Sequence, residues 1–276
     1  MGSNGMITQI KSINDLLSII KEHQEEFNSS SNSQSKGPSW YKYNANLWFR
    51  GQADSSFNLE PQVERKAFIE TARLAGDSPL AYEKTIYKKL LAQGAHLIPE
   101  NLNQIEVYFL SQHYGLPTRL LDWSRNPLAA FFFSVISHKE KDGSIYMYFS
   151  RADIPGHEEN DIVSQNDDKV TSLLGFLTED NIIFDVPECT CYPLKIEPNA
   201  QAGRIVNQVS CFTLHHPNST VNLDNLVGSQ IRKYTIPAQD KPQIINDLQM
   251  LGVSWGNLFP DLENMVKDIK RQAYIE

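Results

Sequence analysis

Phe49, Arg50 and Gly51 close an apolar run that begins near Asn46, and Gln52 follows them. An arginine in that place has one obvious chemistry. Its guanidinium carries five N–H donors in a planar fork, which matches phosphate or carboxylate oxygens two at a time. The run reads as a buried strand ending on Arg50. Gly51 beside it lets another backbone or a flat ligand come close. The bland alternative is that Arg50 pairs with a buried aspartate, with Asp122 as the candidate, and only holds the scaffold. Spacing alone leaves both open.

A denser group lies between positions 112 and 126. It holds Gln112, His113, Tyr114, Thr118, Arg119, Asp122, Trp123, Ser124, Arg125 and Asn126. His113 is the histidine best suited to acid–base work, since imidazole titrates near neutrality. A hydrogen bond at a helix end is the other role open to it. Asp122 is expected to pair with Arg119 or Arg50, and Ser124 or Asn126 to cap the next helix. The group reads as a junction between two helices, where free backbone N–H groups can bind an anion.

Other chemistry is poorly served. Cys189, Cys191 and Cys211 lie near His215 and His216, but Cys-x-Cys is short for structural zinc, so no metal is expected. The odd cysteine count implies no disulfide framework. Nucleophile-elbow, Walker and His-Glu-x-x-His motifs do not occur.

The elements that must position these residues follow from periodicity. Asn14 to Phe27, Pro79 to Leu97, Asn103 to Tyr114, Leu128 to Ile136, Pro242 to Leu251 and Leu262 to Ile275 read as helices. Ile7 to Ile10, Ser144 to Phe149, Thr190 to Lys195, Arg204 to Leu214 and Gln230 to Ile236 read as strands. The fold class is therefore α+β, a helix-rich N-terminal half packed on a mixed or antiparallel sheet. Positions 28–38, rich in Ser, Asn and Gln, read as an exposed loop, and 151–169 as a polar surface loop. Met1 to Gly5 read as a cloning remnant before a native start at Met6, with 6–276 as one domain.

The chain has 276 residues, 41% hydrophobic, with a formal net charge of -8. That length carries a full core. The charge makes DNA a poor default partner, because coating a polyanion needs excess cations. No apolar run is long enough to span a bilayer and no secretory leader stands out, so a cytoplasmic location is expected.

The motifs carry a resemblance. Phe49-Arg50-Gly51 with Gln52 resembles the signature of the FRG domain. Gln112 to Ser124, followed by Asn126-Pro127-Leu128-Ala129-Ala130, resembles that family's longest motif. Arg204 to Phe212 resembles a third motif, with Ser210 where glycine is expected, and Leu258 to Leu262 resembles the C-terminal end. A more distant resemblance is to ADP-ribosyltransferases, many of which open their NAD site with an aromatic residue and Arg-Gly and close it with Glu or Gln on a later strand. Phe49-Arg50-Gly51 and Gln208 occur in that order.

That resemblance implies NAD as substrate, with Arg50, Gln208 and His113 as catalytic residues. Arg50 would hold the phosphates or nicotinamide ribose, and the Gly51 backbone the nicotinamide amide. Tyr114 or Trp123 would stack on the ring. Gln208 would position a hydroxyl but cannot serve as a base, since an amide takes up no proton at ordinary pH. Gln52, Thr118, Arg119 and Asp122 complete the expected lining for a nucleotide-like ligand. The implied activity is ADP-ribosyl transfer to a protein or RNA acceptor, or NAD hydrolysis, in bacterial conflict or phage defence. A non-catalytic anion- or nucleotide-binding module stays open beside it, as does a scaffold domain locked by Arg50 and Asp122.

Overall fold

The computed structural model describes residues 9–30, 47–149, 162–177, 192–198, 209–227, 230–259 and 261–273. In chain order, helix α1 (Ile13–Ser30) precedes strand β1 (Leu47–Gln52). Helices α2 (Lys66–Leu74), α3 (Pro79–Gly94) and α4 (Gln104–His113) come next, then β2 (Leu120–Ser124), α5 (Pro127–Val135) and β3 (Gly143–Phe149). Strand β4 (Ile162–Ser164), α6 (Asp168–Leu174), β5 (Leu194–Glu197), β6 (Ser210–Leu214) and β7 (Ile231–Ile236) follow. Helices α7 (Lys241–Met250), α8 (Trp255–Leu258) and α9 (Leu262–Gln272) end the described chain.

Local chemistry starts these helices. Ser78 Oγ accepts from the Ala81 amide at the head of α3, with Pro79 in the first turn. Asn103 and Glu106 form a reciprocal capping box on α4. Asn126 Oδ1 accepts from the Leu128 amide, and Pro127 opens α5.

The described strands form one mixed sheet in the order β4-β5-β6-β2-β1-β3-β7. The α+β class expected from the periodicity holds. Neighbours are antiparallel except β4 and β5, which are parallel. β1 is fully paired with β3, from Leu47 opposite Phe149 to Gln52 opposite Ser144. With β2 it shares a single register pair, Phe49 opposite Ser124. The two strands part beyond that pair, and the parting is the seam on which the site is built.

Three apolar clusters hold the layers, each buried aromatic contributing roughly 2 kcal/mol or more. Leu16, Phe49, Phe131, Phe132, Met147 and Ile244 pack α1, α5 and α7 onto β1, β3 and β7. Tyr87, Tyr108, Phe109, Leu120, Phe212 and Leu214 pack α3 and α4 onto β2 and β6. Trp48, Trp123, Tyr146, Tyr148 and Cys211 fill a third cluster. The first two clusters sit on either side of the β1–β2 seam.

The structure corrects several local expectations. β1 runs through Gln52, so Arg50 is inside the strand, opposite Tyr146, rather than at its end. Residues 120–124 form β2, whose ladder with β6 uses the backbone groups that a helix junction would have left free. No helix among the described residues is long and apolar enough to cross a membrane. Of the expected 28–38 loop, residues 28–30 are the end of α1 and the rest lie outside the described residues. The expected 151–169 loop contains β4 and the start of α6. The 201–208 segment with Gln208 lies wholly outside the described residues.

Candidate functional site

Gly51 shows how closely the layers meet. A Cβ at this position would lie 1.8 Å from the Ala130 carbonyl oxygen of α5, and one at Gly143 would lie 2.2 Å from the Ser134 oxygen. Ala130 and Ser134 are one helical turn apart, so two glycines on adjacent strands make the groove in which α5 lies. The close approach that Gly51 permits is therefore taken by a helix backbone.

Beside this contact the seam opens. Arg50 reaches across it, and its Nη1 donates to the main-chain carbonyl of Asp122 at 2.6 Å. The guanidinium supplies a bond that the parted strands no longer make. Its Nε is buried with no hydrogen-bond partner. Burial lowers its pKa, the charge of Asp122 works against that, and Arg65 adds to the lowering. Arg50 and the Asp122 carboxylate form no ion pair, so the scaffold lock expected between those side chains is instead an arginine-to-backbone bond.

A cavity of about 740 Å³ occupies the opening. Arg50, Gln52 and Arg65 give it polar donors, and Phe57, Phe133 and Phe259 give it aromatic walls. Gln52 is 6% exposed. Its Nε2 donates to the Asn58 carbonyl at 3.0 Å, while its Oε1 is buried without a partner. Unsatisfied buried polar atoms cost free energy unless a ligand or water meets them. Two such atoms, one donor and one acceptor, occur on strand neighbours that both line this cavity.

Asp122 also lines the cavity and is exposed. Gln112 holds it, donating from Nε2 to Asp122 Oδ2 at 3.0 Å. Gln112 is itself fixed through Oε1, which accepts from the Thr118 hydroxyl. Thr118, fully buried, is thus a support for the carboxylate rather than a lining residue. His113 lines the cavity from the last turn of α4.

Other expected site residues are elsewhere. Tyr114 is 78% exposed and packs edge-on against His113, outside the lining. Trp123 lines the cavity, yet it is 2% exposed and its Nε1 donates to Thr213 Oγ1 at 3.1 Å, so little of the ring is open to stacking. Arg119 is the correction with the clearest cause. It pairs with Glu83, donates from Nη1 to the His215 carbonyl at 3.3 Å, and lies over the Phe176 ring. Tyr108 donates to the same Glu83 and accepts from the Arg119 amide. Burial opposes the Arg119 charge, but Glu83, Tyr108 and Glu64 together outweigh it and raise the pKa. Arg119 is a buried structural cation, and its partner is Glu83 rather than Asp122. Gln208, Cys189 and Cys191 lie outside the described residues, and Cys211 is a buried free thiol on β6.

Sequence reading missed Arg65 and Phe57, and it named Phe259 only within the C-terminal motif, without tying it to β1. It also missed Lys241. This buried lysine donates from Nζ to the carbonyls of Ala53 at 2.7 Å, His138 at 3.0 Å and Ser137 at 3.3 Å. All three acceptors belong to cavity-lining residues, so one ammonium fixes that part of the wall.

Residues 45–143 match the family model of the FRG domain. The matched range runs from just before β1 to the first residue of β3. It contains Arg50, Gln52, Arg65, Gln112, His113 and Asp122, so these polar residues of the cavity lie within the matched range. It does not reach the third and C-terminal motifs read from the sequence. No curated protein and no solved structure matches the chain. The ADP-ribosyltransferase likeness gains no support from these comparisons.

Proposed function

We propose that the seam cavity binds a phosphate-bearing, nucleotide-like ligand through Arg50. The observation that carries this reading is the buried Arg50 Nε, without a hydrogen-bond partner, in a cavity shared with Arg65. Among the described residues neither guanidinium is in an ion pair, although Asp122 and Glu60 line the same cavity, and the fork geometry favours phosphate. The aromatic walls suit a flat ring, and the free Gln52 Oε1 suits an amide or hydroxyl donor.

The finer reading is an NAD-using activity, either ADP-ribosyl transfer or NAD hydrolysis. In that reaction the nicotinamide–ribose bond breaks with its electron pair leaving on the nicotinamide, and water or an acceptor hydroxyl takes its place. Positive charge develops on the ribose, so the demand is for orientation and electrostatics. Asp122, held by Gln112, would accept from a ribose hydroxyl and sit near that charge. The sequence resemblance sets this activity in bacterial conflict or phage defence. A pure scaffold role also has one observation in its favour, the 2.6 Å bond by which Arg50 stitches the seam.

The test is a thermal shift with NAD, ADP-ribose and inorganic phosphate, run beside an assay for nicotinamide release. Binding predicts a rise in Tm that Arg50→Ala removes. Catalysis predicts nicotinamide release that Asp122→Asn and Arg50→Ala both abolish. A Tm rise without release leaves a binding module. No rise with any ligand leaves the scaffold reading.

A further inference from the structure

The charged side of the Arg50 cavity is built twice. Arg50 Nη1 donates to the main-chain carbonyl of Asp122 at 2.6 Å, and Gln112 Nε2 holds the carboxylate of that aspartate at 3.0 Å. Arg65 repeats the arrangement with another acid. Its Nε and Nη2 both donate to the main-chain carbonyl of Glu60 at 3.4 Å, and Asn58 Nδ2 holds the Glu60 carboxylate at 2.7 Å. In each half an arginine takes the backbone of an acidic residue, while an amide side chain takes its carboxylate. Each half therefore sets a cation beside an anion, with no ion pair joining them among the described residues. Asp122 Oδ1 and Glu60 Oε2 accept no hydrogen bond among those residues.

The Glu60 half is also held in place. The Asn58 carbonyl accepts from Gln52 Nε2 on β1 at 3.0 Å, and the Leu59 amide donates to Asp224 Oδ2 at 2.9 Å. The two halves are close, since the charge of Arg65 lowers the pKa of Arg50. Two like charges near one another cost free energy that a bridging anion offsets. A diphosphate has one group for each guanidinium fork. Its flanks then follow from the carboxylates. A carboxylate repels further phosphate and accepts from hydroxyls, which is how an acidic side chain holds a nucleotide ribose. The cavity, of about 740 Å³, is within the range that encloses whole ligands of this size.

We propose that the cavity takes a diphosphate flanked by two riboses, one donating to Asp122 and the other to Glu60, so that Glu60 selects a plain ribose over one carrying a 2′-phosphate. This rests on the Arg50 reading above and deepens it. The ligand class becomes ADP-ribose or an unphosphorylated dinucleotide rather than a mononucleotide or a lone phosphate. A 2′-phosphate would bring about two negative charges against Glu60. Arg65, the cation beside it, is already taken by the diphosphate.

The experiment is isothermal titration calorimetry of the full chain with ADP-ribose, ADP-ribose 2′-phosphate and inorganic phosphate. None of these carries nicotinamide, so turnover does not enter. ADP-ribose should bind about tenfold or more tighter than its 2′-phosphate. Glu60→Gln should weaken ADP-ribose several-fold, close the gap between the two ligands and leave the Tm of the free chain unchanged. Asp122→Asn should weaken ADP-ribose and leave the preference in place. Equal affinity for the two ligands in the unaltered chain overturns the assignment, and that comparison needs no variant to fold. A preference that survives Glu60→Gln also overturns it. So does a chain that binds inorganic phosphate as tightly as ADP-ribose, an outcome that leaves the Arg50 reading standing. If none of the three binds, the Arg50 reading falls and this assignment falls with it.

Discussion

Gly51 of β1 lies directly beneath the Ala130 carbonyl of α5, and the Ser134 amide is also within 2.8 Å of where its Cβ would be. The neighbours are backbone atoms, which cannot rotate away as a flexible side chain would. Gly51→Ala must therefore push α5 off β1. Overpacking of this kind costs about 3 kcal/mol or more. We expect Tm to fall by roughly 5–10 °C in a chain of this size. Gly94→Ala is the control: it sits at the end of α3, where a Cβ would meet only the Leu90 side chain at 3.4 Å, and Tm should hold or rise. Equal losses at both positions would mean the α5 groove is not what Gly51 serves.

Arg119 and Glu83 form a buried pair, where the sequence reading had offered Asp122 as a partner for Arg119 or Arg50. Removing one partner strands a charge in the core, at a cost of about 3–5 kcal/mol. Glu83→Leu and Arg119→Met should each destabilise by that order in urea unfolding. The double change should be milder than either single one, since an apolar pair leaves nothing uncompensated. Ligand binding at the Arg50 cavity, measured on whatever folded fraction remains, should be unchanged. A selective loss of binding in Arg119→Met would return Arg119 to the site.

How much of this was legible follows from sequence distance. The stretch around Phe49-Arg50-Gly51 was recognised, because an apolar run and its glycine are local. The capped helices α3, α4 and α5 were recognised for the same reason. β2 was not, since Leu120 to Ser124 is short and flanked by Pro117 and Pro127. Its strand state comes from pairing with Ser210 to Leu214, about ninety positions later. The Arg119 partner was missed because Glu83 is 36 positions upstream, on α3, while Arg119 just precedes β2. The cavity was half legible. Arg50, Gln52, His113 and Asp122 were named, but its existence depends on β1 and β2 parting after one pair. Arg65, Phe57 and Lys241 reach it from loops and a helix that no motif connects.

Lys195 gives the pH dependence. Its ammonium lies 3.8 Å from the centre of the Tyr148 ring, is 2% exposed, and has no hydrogen-bond partner. Burial lowers its pKa to about 7 from an ordinary 10.5, with Cys211 acting in the other direction. The fold thus favours the neutral amine, while the unfolded chain keeps its proton up to the ordinary value. Between those two pH values the unfolded state binds more protons, so stability rises with pH. Below the folded value both states are protonated and the burial penalty is constant. The slope from one proton is at most about 1.4 kcal/mol per pH unit. Lys195→Met should remove that slope and stabilise most at the acid end. The check is urea unfolding of both chains from pH 6 to 9, read as the difference between them so that other titrating groups cancel. A difference that does not change with pH would show that Lys195 keeps its charge in the fold, with the Tyr148 ring face stabilising the ammonium.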